Sequence, residues 1–244
     1  MNLTNDGLSR LEYPGRLLAI GLSPSGKDLA VVYAVTGRSP SSQARRIVRE
    51  EAGLWVRPTD EQVLKQGHAD LLVYPSFLFG ASGWAVSNGR QTSDVHAGLA
   101  SGPDPVAVLS RALASWDYEP DAPIFTPRIS GCLCGGQAAL SVIRRGAEGD
   151  TLRSYFEVPL RPGKGMFVST YRGPNEDPLP CFDGEPRRLE MPDLEPRRTA
   201  ERVYEALGPR PGERDFRVSV ACVFAPVSDP GAVVVHIINR HERT

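Results

Sequence analysis

The sequence predicts a single α+β domain, rich in strands and poor in helices, in which stacked sheets are covered by helices. Short runs of β-branched and aliphatic residues, bounded by glycine, proline and charge, recur along the 244 residues. Only two segments carry the spacing and end signals of helices. No repeat divides the chain, and no break in composition would give each half its own core, so residues 1–244 are read as one domain.

Leu17 to Gly21, a Ser23-Pro24-Ser25-Gly26-Lys27 turn and Leu29 to Val35 read as a hairpin, because proline and glycine suit the turn and β-branched residues follow it. A polar, basic loop from Thr36 to Arg46 comes next, then short strands at Leu54–Val56, Asp70–Val73 and Trp84–Ser87. Asp104-Pro105 is a helix start, an N-cap followed by proline in the first turn. Val106, Leu109, Leu113 and Trp116 then share one face, which predicts a helix lying on a sheet. Strands are expected at Arg128–Leu133, Ala138–Ile143, Ser154–Val158 and Gly165–Thr170. From Gly173 to Glu195 proline, aspartate and glutamate dominate, and the segment is read as a loop ordered by what it lies against. A second helix over Arg198 to Leu207 stops at Gly208-Pro209. Strands at Phe216–Phe224 and Ala232–Ile238 close the chain, and Phe216–Phe224 or a neighbouring strand can pair across a subunit edge in a homo-oligomer.

With 28 Lys+Arg against 29 Asp+Glu, the net charge of −1 gives no global attraction to nucleic acid or to anionic membranes, and no local basic patch is read. The longest apolar run, Leu29 to Val35, is far short of the roughly 20 residues of a membrane helix, so a soluble protein is expected. The start, Met1 to Asp6, has neither the basic residues nor the apolar stretch of a secretory signal, which places the protein in the cytoplasm. Cys132 and Cys134 are separated by one residue and lack the spacing and second cluster of a zinc site; Cys181 and Cys222 stand apart. His68, His96, His236 and His241 are scattered, so neither a metal nor a cofactor is expected.

Four polar clusters put arginine, asparagine and tyrosine into glycine- and proline-bounded loops beside strands. They are Tyr13-Pro14-Gly15-Arg16, Gly37-Arg38-Ser39, Trp84 to Asp94 with Val86-Ser87-Asn88-Gly89 and Gln91-Thr92, and Asp117-Tyr118-Glu119 through Thr126-Pro127-Arg128-Ile129. In this order and separation they resemble the archaeal-type IMP cyclohydrolase family with its bacterial relatives, from about Tyr13 through Tyr171 and more weakly beyond. The resemblance implies a four-layer αββα sandwich similar to the N-terminal-nucleophile hydrolases. Such hydrolases use an N-terminal Cys, Ser or Thr whose amine is the base, and Met1-Asn2 offers none. The implied reaction closes a formamido-imidazole-carboxamide ribonucleotide to IMP with loss of water, which needs folding of a small nucleotide substrate, polarisation of the formyl oxygen and proton movement but no metal or cofactor.

By the resemblance, Tyr74 stands at the reacting centre and can donate to the formyl oxygen, and Glu119 stands near the carboxamide; read alone, they are an edge-strand tyrosine before proline and a solvated carboxylate. Arg16, Arg38 and Arg128 suit phosphate and ribose contacts, with Ser39 and Thr126 in the same motifs, although surface arginine is common. Asn88, Gln91 and Thr92 can read a carboxamide or base, and Asn88-Gly89 is equally a plain turn signal. Lys164 and Arg172 are weaker phosphate candidates. Gln43 occupies the position where the family usually carries another arginine near the substrate, and Arg45 or Arg46 could stand in if the loop shifts. Three functions follow: IMP cyclohydrolase, a repurposed relative performing cyclisation or amide chemistry on another small molecule, or a catalytically silent nucleotide-binding protein.

Overall fold

Leu17, Leu18, Ala19 and Ile20 are all fully buried, yet they serve two cores: Leu18 and Ile20 join one cluster, Leu17 and Ala19 another. Successive side chains of a strand leave opposite faces, so a strand covered on both sides reads as an unbroken apolar run. The computed structural model describes residues 7–60, 73–191 and 193–242. Its first sheet holds β1 (Arg16–Leu22), β2 (Asp28–Thr36), β10 (Lys164–Ser169), β11 (Arg187–Glu190), β12 (Arg217–Pro226) and β13 (Val234–Asn239), ordered β11-β10-β1-β2-β12-β13. The second holds β3 (Arg45–Glu50), β4 (Gly53–Pro58), β5 (Tyr74–Gly80), β6 (Gly83–Ser87), β7 (Arg128–Cys134), β8 (Gln137–Arg145) and β9 (Thr151–Glu157) in sequential order. Neighbouring strands run antiparallel throughout.

The sheets stack through Leu18, Ile20, Val31 and Tyr33 on one side and Val56, Phe77, Trp84 and Leu140 on the other. Helix α4 (Pro196–Ala206) covers the outer face of the first sheet with Ala200, Val203 and Tyr204. Helices α2 (Gln91–Gly98) and α3 (Pro105–Ala112) cover the second with Val95, Val108 and Leu109. The Asp104 carboxylate accepts from the backbone N–H groups of Val106 and Ala107, the expected N-cap. The helix stops at Ala112, short of Trp116, because Leu113 already leaves helical geometry.

Four elements were not expected. A short α1 (Pro40–Gln43) and the start of β3 lie in the supposed 36–46 loop, α2 follows the Asn88 turn, and β11 pairs with β10 inside the acidic segment. The strand expected at Asp70–Val73 lies, except for Val73, outside the described residues, and β5 begins at Tyr74. β12 sits between β2 and β13, so Phe216–Phe224 is an interior strand and cannot be the subunit edge; its neighbour β13 is the edge.

The two sheets are also joined at one side through the side chain of Asn239. Asn239 on β13 accepts from the Ile47 N–H (2.9 Å) on β3 and donates to the Ile47 carbonyl (2.9 Å), completing a ladder step that no strand supplies. It also accepts from Ser219 Oγ (2.7 Å), and it is buried. Replacing it leaves two backbone groups unpaired, at about 1–3 kcal/mol each. Asn239→Ala is therefore expected to lower unfolding free energy by at least about 2 kcal/mol in urea denaturation, with Asn239→Asp also destabilising because it loses both N–H donors.

Candidate functional site

Antiparallel pairing brings the starts of β1, β3, β5 and β7 to the same end of the sandwich as the ends of β2, β6 and β10. The Tyr13–Arg16, Gly37–Ser39, Asn88–Asp94 and Asp117–Ile129 segments converge there, whereas Trp84 and Lys164 sit at the other end, Lys164 paired with Glu190 (2.7 Å). Two cavities open at this end, of about 260 Å³ and about 590 Å³, and both are lined by Glu119 and Asp121. The smaller adds Arg16, Arg38, Ser39, Arg45, Thr126 and Tyr171; the larger adds Trp55, Asn88, Arg90, Trp116 and Arg128. A third cavity, about 400 Å³ and mostly apolar, lies at the opposite end around Trp84 and Leu133.

Gly15 delivers Arg16 to the site. Its φ of +71° is in the left-handed region, and a Cβ there would strike Thr170 Oγ1 and the Tyr171 ring. The Arg16 side chain is 9% exposed, forms no guanidinium hydrogen bond among the described residues, and has its Nε buried without a partner. Burial works against its charge, but Tyr74, Glu119, Tyr171 and Tyr33 around it outweigh burial and hold the proton firmly. Tyr74 is fully buried, and its hydroxyl meets that of Tyr33 across the two sheets at 3.0 Å. Neither of the two cavities is lined by Tyr74, which lies between the sheets against Tyr33.

Glu119 is 2% exposed, in a loop closed by its N–H to the Thr126 carbonyl (2.9 Å). Asp121 tightens the same loop: its carboxylate takes the Thr126 N–H (2.7 Å) and the Thr126 hydroxyl, whose oxygen also meets Tyr171 Oη at 2.8 Å. Thr126 is thus a scaffold member as well as a cavity wall. Burial raises the Glu119 carboxyl above the usual carboxylate range, against the pull of Arg16 and then Arg128. Arg128 Nη1 lies 3.8 Å from Glu119 and donates to Gln91 Oε1 (3.3 Å), its Nε donates to the Asp117 carbonyl (2.8 Å), and its plane covers the Trp116 ring at 4.9 Å.

The Asn88 cluster works inward. Asn88 donates to the Pro127 carbonyl (2.9 Å) and accepts from Ile129 N (2.9 Å) and Gln91 Nε2 (2.9 Å), while Thr92 Oγ1 returns to the Gly89 carbonyl (2.8 Å). These three side chains lock the turn that aims Arg128; Gln91 and Thr92 line neither cavity. Ser39 caps α1, accepting from Ser42 N, and Arg38 donates to the Glu176 carbonyl (3.1 Å) of the acidic segment. Arg172 points outward to Asp183 (3.5 Å).

Gln43 corrects an expectation. Its amide donates to the Gly37 carbonyl (3.1 Å), and it lines neither cavity. Arg45, two residues on, is 2% exposed and lines the smaller cavity, whereas Arg46 faces Glu242 at 4.0 Å on the exposed side. Tyr33, Asp121 and Tyr171 were not foreseen. Tyr33 had a usable signal: it shares strand parity with the core residues Val31 and Val35, and places a polar tip in an apolar run.

Among the described residues no group of three or more His, Cys, Asp and Glu side chains is placed to hold a metal ion, and no helix is long and apolar enough to cross a membrane. The arrangement offers many N–H and O–H donors, one buried carboxyl able to move a proton, and few acceptors, which suits a ligand rich in oxygen. The model of the IMP cyclohydrolase-like protein family matches residues 13–226. An IMP cyclohydrolase of Methanopyrus kandleri is 30% identical over 183 residues, covering 70% of this chain and 89% of that protein. A match that spans both sheets and every loop of the site shows that the chain belongs to the IMP cyclohydrolase-like family.

Proposed function

We propose that this protein closes the ring of 5-formamidoimidazole-4-carboxamide ribonucleotide to IMP with loss of water, as a step of purine biosynthesis. The observation that carries the reading is the pairing, on one cavity, of a buried guanidinium without a hydrogen-bond partner, Arg16, and a buried carboxyl, Glu119. Family membership supports the substrate. The helix–sheet–sheet–helix order is taken, on the same reading, as that of the N-terminal-nucleophile hydrolases used without their nucleophile.

In ring closure the carboxamide nitrogen attacks the formyl carbon, and the carbonyl electron pair moves onto the formyl oxygen. Glu119 accepts the proton that the nitrogen releases, and Arg16 holds the oxygen as its charge grows. The oxygen then departs as water, carrying one carboxamide hydrogen and the formamido N–H hydrogen, and the formamido nitrogen keeps a double bond to the former formyl carbon. Glu119 ferries protons in both halves, which a carboxyl raised by burial does more readily near neutral pH than a solvated one. Arg38 and Ser39 at the cavity mouth are assigned to the ribose phosphate, and Arg128 to the wall that keeps Glu119 in place. Tyr74 is a positioning residue that steadies Arg16.

The test is the absorbance change of the formamido nucleotide with purified protein, confirmed chromatographically as IMP; a rate equal to uncatalysed closure would remove the reading. Glu119→Gln is expected to lower kcat by about 10²–10⁴. Tyr74→Phe is expected to cost only about tenfold in kcat, the worth of one neutral hydrogen bond, with KM unchanged.

Glu119 also predicts two opposite pH trends. Ring closure needs its ionised form, so kcat/KM should fall as pH drops through a value above the ordinary glutamate range. A carboxyl whose folded pKa is raised binds its proton more tightly in the folded state, so its contribution to stability is present below the unfolded pKa and is lost as pH rises through the folded one. The melting temperature of Glu119→Gln minus that of the wild type should therefore increase between about pH 5 and pH 8. A difference that stays flat in calorimetry would show that Glu119 is not raised.

A further inference from the structure

Arg45 is the one buried charge of the site that the ring-closure steps leave without work. Its Nε donates to the Ser42 carbonyl (2.8 Å) and its Nη2 to the Thr36 carbonyl (3.4 Å), which fixes the plane of the guanidinium. Its Nη1 has no hydrogen-bond partner among the described residues, and the side chain lines the same cavity as Arg16. Burial opposes the Arg45 charge first and Arg16 opposes it next. The two cavities are lined by five arginines, Arg16, Arg38, Arg45, Arg90 and Arg128, against three carboxylates, Glu119, Asp121 and Asp94, and Asp121 is already committed to Thr126. Positive charge is in excess, and Arg16 and Arg45 hold theirs buried, where desolvation makes it costly.

We infer that Arg45 is a second catalytic guanidinium, which together with Arg16 seats the single negative charge that develops on the formyl oxygen, in place of the arginine that Gln43 does not supply. The inference rests on the ring-closure reading. A phosphate fits the mouth better, where Arg38 is 33% exposed beside Ser39, Ser41 and Ser42 and water can share its two charges. Arg16 and Arg45 are instead both buried walls of the same cavity, where a donor pair shielded from water has its greatest effect on a growing charge. Carbonyl electrons move onto the oxygen between the two guanidiniums and leave with it as water, so the seat is emptied at each turnover and needs no co-reactant.

Two variants separate charge from geometry: Arg45→Met removes the charge, and Arg45→Lys keeps it but loses the planar fork. Wild type and both variants are compared in ring closure, and in thermal shift with sodium nitrate, a planar monoanion, at fixed ionic strength. Both variants should lose about 10²–10³ in kcat with KM held within about threefold. Nitrate should raise the melting temperature of the wild type and leave that of Arg45→Met unmoved. A loss confined to KM would assign Arg45 to the phosphate and overturn the inference, as would an undiminished kcat or an equal nitrate shift in Arg45→Met. If the wild type closes no ring but its nitrate shift still requires Arg45, the ring-closure reading falls and the anion seat stands.

Discussion

Three guanidiniums crowd one end of the sandwich, and the surrounding structure is organised by the need to hold them there. Arg16, Arg45 and Arg128 are drawn from β1, β3 and β7, strands of two different sheets, so no local segment could set their spacing. Each is held by backbone geometry or by carbonyls in preference to carboxylates. Arg45 rests on the Ser42 and Thr36 carbonyls, Arg128 on Asp117, and Arg16 on the Gly15 turn against Thr170. Carbonyl anchoring fixes the direction of a guanidinium and leaves its charge unspent.

The same logic explains the polar residues that surround the arginines. Asn88 spends its amide on Pro127, Ile129 and Gln91, and Gln91 spends its oxygen on Arg128. Asp121 closes the 119–126 loop through Thr126, and Thr126 passes the connection to Tyr171, whose ring stacks on Tyr13 at 5.6 Å. Buried networks of this kind are stabilising only when their members are satisfied, and of the buried side-chain atoms left without a partner among the described residues, Arg16 Nε belongs to a wall of the smaller cavity, while Ser87 and Ser130 Oγ lie on β6 and β7. The opposite end of the sandwich shows what the fold does without such demands: hairpin turns and apolar walls around Trp84, with Asp229 the only acidic lining residue.

Much of the framework was legible because local signals and burial agreed. The β1–β2 hairpin, the Asp104 cap and the α4 stop at Gly208 each follow from turn chemistry or spacing. Helix α2 was not legible: only Val95 of its residues is a buried apolar side chain, Arg90 provides no side-chain cap, and Gln91 and Thr92 are buried as polar groups. β11 was hidden by composition, since Arg187–Glu190 has one buried residue and pairs with β10 at the sheet edge. Of the site, Arg16, Glu119 and Arg128 could be named from motifs, but their convergence on a cavity depends on sheet register. Tyr33 comes from a strand whose neighbours read simply as core, and Tyr171 lies two residues past the end of β10.

Gln43 and Arg45 show how far a motif can carry a side chain and where strand parity takes over. By the resemblance read from the sequence, Gln43 falls where an arginine is expected. α1 ends at Gln43, however, and β3 begins at Arg45, so the chain changes from helical to extended geometry between them. Along β3 the side chains alternate: Arg45 and Ile47 are buried, while Arg46 is exposed. Because Ile47 belongs to the layer between the sheets, parity alone sends Arg45 to the inner side and Arg46 to solvent. Arg45 is thus the first residue of a strand that is braced two residues on, where Ile47 exchanges hydrogen bonds with Asn239.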